Sequence, residues 1–142
     1  MNKVTKLCLT TLGATVLATG FLLTSPNVNV SAENIYTGHQ EFRWNSPTDW
    51  SYNQQKWTTS AYKLYATKMS VPSYTATAWG HSYLAGRTGN ANVSEGRSYV
   101  VRPYSNVYLY NKLVEWYGTG NNAFINAYSQ NNGSADGSWY AD

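Results

Sequence analysis

Beyond residue 32 the chain carries far more aromatic than aliphatic core formers: thirteen Tyr, six Trp and two Phe against four Leu, two Ile and six Val. A core drawn from this set must be aromatic. Aromatic and β-branched side chains fit a pleated, half-buried sheet better than a helix, where they lose χ1 freedom against the preceding turn. Thr, Ser, Asn and Gly fill much of the remainder, the composition of short strands joined by turns. The chain reads as all-β.

The first thirty-two residues stand apart. Lys3 and Lys6 precede an apolar run from Leu7 to Leu23, and a polar tail ends in Val30-Ser31-Ala32. A basic end, an apolar stretch and small residues at the −3 and −1 positions are the pattern of a cleaved secretory signal peptide, with Glu33 as the new N-terminus. Thr10, Thr11, Gly13, Thr15, Thr19 and Gly20 interrupt the run, which argues against a retained membrane anchor. Secretion into the extracellular space is the expectation, without stable membrane insertion after cleavage.

Removing residues 1–32 changes the remaining composition. About 110 residues are left, the size of one domain with one core. Eight Lys and Arg face seven acidic residues, a net charge near +1. Arg43, Lys56, Lys63, Lys68, Arg87, Arg97, Arg102 and Lys112 are scattered singly, whereas a nucleic-acid footprint needs clustered cations. No nucleic-acid partner is expected. The single cysteine, Cys8, leaves with the leader, so packing must hold the domain without a disulfide.

Strand signals recur about every ten residues. From Tyr74 to Leu84, Thr75, Thr77, Trp79, His81 and Tyr83 alternate with Ala76, Ala78, Gly80 and Ser82, one face bulky and the other small. Thr58 to Thr67 reads as the preceding strand, limited by Pro72. Gly86 to Gly96 reads as a loop leading into a short strand from Ser98 to Arg102. Val107 to Tyr117 opens as a strand, although Leu109, Leu113, Trp116 and Tyr117 also match a helical stripe. Strand is the preferred reading, with Ala123 to Ser129 returning as its partner after the Gly118–Asn122 turn. Asn131-Asn132-Gly133 is another turn signal, and a last strand runs through Trp139. This spacing predicts an antiparallel β-sandwich of about six to eight strands over residues 57–142, with a small barrel as the alternative. Residues 33–56, mixing aromatics with Pro47, Asp49 and several Asn, Ser and Gln, read as an irregular N-terminal arm.

Reactive chemistry finds little support. His39 and His81 are the only histidines, and neither an H-E-x-x-H nor a paired-cysteine spacing exists, so no metal site is expected. His81 falls on a strand between Trp79 and Tyr83 and reads as a packed or surface imidazole. No G-x-S-x-G elbow is present. Among seven carboxylates, Glu115, set between Val114 and Trp116, is the best candidate for a perturbed acid, but the preferred reading is a surface charge on an edge strand or a partner for a nearby Arg or Lys. No catalytic residue and no cofactor are assigned, and an enzyme is not expected.

The excess of Trp is the positive sign. Trp44, Trp50 and Trp57 recur at intervals of six and seven through a segment too polar to bury them all. Exposed Trp offers an apolar platform for a sugar ring or a protein surface. These three are the candidate ligand-binding residues.

The stretches Asn106-Val107-Tyr108-Leu109-Tyr110-Asn111, Glu115-Trp116-Tyr117-Gly118, Ala127-Tyr128-Ser129 and Ala135-Asp136-Gly137-Ser138-Trp139-Tyr140-Ala141-Asp142 resemble a group of small, uncharacterised exported Tyr- and Asn-rich β proteins of Gram-positive bacteria. Ala141 stands where that group often carries proline. The chain is also similar, in size, aromatic content and cysteine-free export, to lactococcin-like bacteriocins. The resemblances imply an extracellular β domain and carry over no catalytic residue. The functional expectation is a secreted binding module for cell-wall polymer, glycan or another extracellular protein. The alternative is a bacteriocin-like toxin acting on competitor envelopes.

Overall fold

A computed structural model describes residues 36–142. The leader expected over residues 1–32, and its cleavage site, lie outside the described residues. In chain order the elements are β1 (Tyr36–Phe42), β2 (Thr48–Trp50), β3 (Gln54–Lys56), β4 (Tyr62–Met69), β5 (Tyr74–Ser82), β6 (Gly89–Asn92), β7 (Tyr99–Val101), β8 (Asn106–Leu109), α1 (Leu113–Tyr117), β9 (Asn121–Tyr128) and β10 (Gly133–Tyr140).

All pairings are antiparallel. The first sheet has the order β1-β10-β4-β8. In the second, β9 and β5 form the centre; β2 and then β3 run along the far side of β9, while β6 and then β7 run along the far side of β5. Ten strand segments thus fill eight sheet positions. The two sheets curl as a half-barrel around a shared core that joins Phe42, Tyr62, Leu64, Leu109 and Trp139 of the first to Tyr74, Val101 and Ile125 of the second.

The alternation along β5 translates into a face assignment that composition alone does not suggest. Its small residues Ala76, Ala78, Gly80 and Ser82 are buried, and its bulky residues Thr75, Thr77, Trp79 and His81 point the other way. At Gly80 nothing larger fits, because α1 packs on this strand with Leu113 so close that a Cβ there would collide with its side chain. A second close approach occurs on β10, where a Cβ on Gly137 would meet the Tyr65 carbonyl oxygen next to a register shift between Ala135 and Gly137.

Four sequence expectations are corrected. Residues 33–56 do not remain an irregular arm over the described part: β1 pairs with β10 along its whole length, and β2 and β3 form an edge of the second sheet. These strands are short or polar, so their partners, far away in sequence, define them. Val107 to Tyr117 is not one strand: β8 ends at Leu109 and α1 follows, closed by Gly118 at φ 86°. Accordingly β9 does not return along that segment but pairs with β5 and with β2 and β3. The Gly86–Gly96 loop also contains β6, a polar segment whose pairing with Trp79–Ser82 supplies order its own residues do not signal.

Side chains of β3 fasten the end of β10. Gln54 donates from Nε2 to the Trp139 carbonyl (2.8 Å) and accepts at Oε1 from the Ala141 N–H (3.1 Å). The fully buried Lys56 donates to Ser60 Oγ (2.9 Å), to the Ala141 carbonyl and to Asp142 Oδ1 (2.9 Å). Asp142 also accepts the N–H groups of Trp57 and Thr58 at 3.0 Å and the Thr58 hydroxyl at 2.8 Å. These bonds satisfy a buried ammonium that would otherwise be prohibitive.

Candidate functional site

The outer face of the second sheet follows from its register. Trp50 on β2 lies opposite Asn126 on β9, which lies opposite Thr77 on β5. One row along, Phe124, Trp79 and Asn92 are neighbours, and beyond them Asn122, His81 and Asn90. Strand alternation brings all these side chains to one side, away from the core.

Aromatic packing gathers on this face. The Trp50 ring lies 5.3 Å from Trp79 at an interplanar angle of 90° and 5.4 Å from Phe124 at 61°. Both are edge contacts of the kind aromatic quadrupoles favour. Phe124 is buried yet belongs to this outer cluster rather than to the inner core. Trp50 helps to cover it while remaining 47% exposed.

Beside the cluster is an open cleft of about 410 Å³ lined by Trp50, Ser51, Asn53, His81, Tyr83, Asn90, Asn122 and Phe124. Four of its side chains are paired with one another. His81 Nδ1 is 2.7 Å from Asn90 Oδ1, the His81 and Tyr83 rings are 4.8 Å apart, and Asn122 Nδ2 donates to the Tyr83 hydroxyl at 2.7 Å. The Tyr83 N–H donates to Asn121 Oδ1 at 2.9 Å, fixing the backbone from which the ring projects. Among the described residues no Lys, Arg, Asp or Glu lines the cleft.

The three tryptophans singled out by spacing are all exposed, Trp44 at 77%, Trp50 at 47% and Trp57 at 50%. They occupy different surroundings, and no ring contact joins any two of them among the described residues. Trp44 sits in the Arg43–Ser46 turn, its N–H donating to Asn132 Oδ1 at 2.6 Å. Trp57 follows β3 with its ring against Gly120. Only Trp50 is gathered with further aromatic and amide groups. Its companions Trp79, His81 and Tyr83 were visible as the bulky set of an alternating strand; Asn90, Asn122 and Phe124 were not, because they arrive from β6 and β9 by pairing.

A second polar cluster lies on the first sheet, where His39 on β1 is the register partner of Asp136 on β10. Their side chains meet at 2.6 Å between Nδ1 and Oδ1, both about half exposed or more. The Asp136 hydrogen bond raises the His39 pKa above its ordinary 6.5, opposed by slight desolvation. The geometry is that of a surface ion pair. Glu115 lies on α1, not on a strand, and pairs with Lys112 at 3.2 Å. Among the described residues no three His, Cys, Asp or Glu side chains come together as metal ligands, and no helix is long and apolar enough to cross a membrane. No family model matches the chain, and comparisons with curated proteins and with solved structures return no match.

Proposed function

We propose that this protein is a secreted, non-enzymatic binding domain, a β-sandwich scaffold that contacts a cell-wall polymer, a glycan or another extracellular protein through the outer face of its second sheet. The observation that carries this reading is the half-exposed Trp50 resting on Trp79 and Phe124 beside a preorganised amide-lined cleft. An aromatic anchor supported by packed neighbours loses little conformational freedom on binding, which favours affinity. The secreted location rests on the leader pattern at residues 1–32.

The test is retention of the protein lacking residues 1–32 on isolated cell walls, membranes and whole cells, comparing Trp50→Ala with Trp44→Ala and Trp57→Ala. Retention lost in Trp50→Ala alone, with folding intact, supports the reading. Retention indifferent to Trp50 overturns it. Growth inhibition of the same cells would favour the envelope-toxin alternative.

A further inference from the structure

Resting on that reading of the outer face, we infer that the cleft beside Trp50 takes an uncharged saccharide, stacked on Trp50 and held through its hydroxyls by Asn90, Asn122 and Asn53. Three observations converge on this ligand class.

The first is charge. Among the described residues the cleft lining contains no Lys, Arg, Asp or Glu. A phosphate or carboxylate ligand would find no guanidinium or ammonium with which to form a charge-assisted pair, and a cationic peptide would find no carboxylate. With no fixed charge to reward an ionic group, the lining favours an uncharged ligand.

The second is the hydrogen-bonding capacity left after the internal network is made. Asn90 uses its amide oxygen on His81, leaving its NH₂ group as donor. Asn122 uses its NH₂ on Tyr83, leaving its oxygen as acceptor. Asn53 is exposed and holds no hydrogen bond among the described residues. A sugar hydroxyl donates and accepts at once, so a site that presents both kinds of group on fixed side chains suits it. A purely apolar ligand would leave these groups unpaired.

The third is shape. A volume of about 410 Å³ is in the range of small-molecule sites, and the half-exposed indole beside it provides an apolar surface for the C–H face of a pyranose. Trp44 and Trp57 lie outside the cleft lining. Specificity for the saccharide therefore rests on Trp50 and the amides.

The experiment is titration of the protein lacking residues 1–32, by calorimetry and by amide-detected NMR, with maltotriose, cellotriose, mannotriose and tri-N-acetylchitotriose, and with polyglycerol phosphate as the anionic arm. At least one neutral trisaccharide is expected to bind saturably and to shift the Trp50 indole and the Asn90 and Asn122 side-chain amides. Trp50→Ala should weaken that binding about tenfold or more, as loss of a central anchor does. Asn122→Leu should also weaken it, whereas Trp44→Ala should leave it unchanged. Trp50→Phe, which keeps an aromatic over Phe124, guards against misreading a folding defect and should retain part of the affinity.

Silence of all four saccharides with a folded protein overturns the assignment, as does binding that leaves the cleft resonances unmoved. Tighter binding of polyglycerol phosphate at the same cleft overturns its uncharged character. Trp50-dependent retention on cell material while the saccharides remain silent refutes the saccharide and leaves the binding-face reading standing. Retention independent of Trp50 refutes that reading itself.

Discussion

Lys56 Nζ lies 2.9 Å from Asp142 Oδ1, an ion pair between residues 86 positions apart in which the lysine side chain is wholly buried. It joins an edge of the second sheet to the end of the last strand of the first. Removing only the acid leaves an ammonium without its counter-charge. Because Asp142 itself is partly exposed, Asp142→Ala is expected to cost more than the ~1 kcal/mol of a surface pair but less than the ~3–5 kcal/mol of a fully buried one. Lys56→Met, which removes the buried charge itself, should cost clearly less. Urea unfolding of both variants checks the order; equal losses would show that packing, not charge, holds this corner.

The same pair sets an acid limb of stability. Burial favours the neutral acid at Asp142, but hydrogen bonds from Lys56 and Thr58 outweigh it, so its pKa lies below the ordinary 3.8. A depressed carboxylate contributes its full stabilisation above the unfolded value and loses it as pH falls through the folded one. Stability should therefore decline below about pH 4, and Asp142→Asn should flatten that decline. Denaturation midpoints between pH 2 and 6 provide the test.

His39 gives the opposite sign on the first sheet. Its hydrogen bond to Asp136 raises its pKa above 6.5, so its contribution is complete below that value and fades as pH rises through the folded pKa. The pair is exposed, and His39→Ala should cost no more than about 1 kcal/mol. An NMR titration should place the His39 pKa above 6.5 in the intact protein and lower it in Asp136→Asn.

Gly80 and Leu113 should be energetically coupled. Gly80→Ala forces a methyl into the Leu113 side chain and is expected to cost about 1–3 kcal/mol. Leu113→Ala should cost about 2–5 kcal/mol by opening a cavity under α1. The double variant should lose less than the sum, because the added methyl occupies space the leucine vacates. Strict additivity in a thermal-melt cycle would contradict the docking of α1 on β5.

The tryptophans should separate by stability as well as binding. Trp44→Ala touches no ring partner and should stay within about 0.5 kcal/mol of the parent. Trp50→Ala uncovers Phe124 and removes two edge contacts, for a loss of about 1–3 kcal/mol. Chemical denaturation of the single variants distinguishes them.

Local chemistry in the sequence determined the β class, the β5 strand by its period of two, the turn at Asn131–Gly133 and the short strand ending before Pro103, since these depend on neighbouring residues alone. It also marked Trp44, Trp50 and Trp57 as too many to bury. Tertiary structure decided the rest. That Gly80 has no room for a side chain depended on Leu113, a contact 33 residues away. The partner of β9 is β5 and not the segment before it, because Leu113–Tyr117 closes as a helical turn and packs on both strands. Lys56 could be read from the sequence only as a lone cation, and its burial became tolerable through Asp142, which the fold alone brings near. Trp50 stands out from the other two tryptophans for the same reason: strand pairing delivers Trp79, Phe124 and the cleft amides to its side, and pairing between distant strands leaves no local signature.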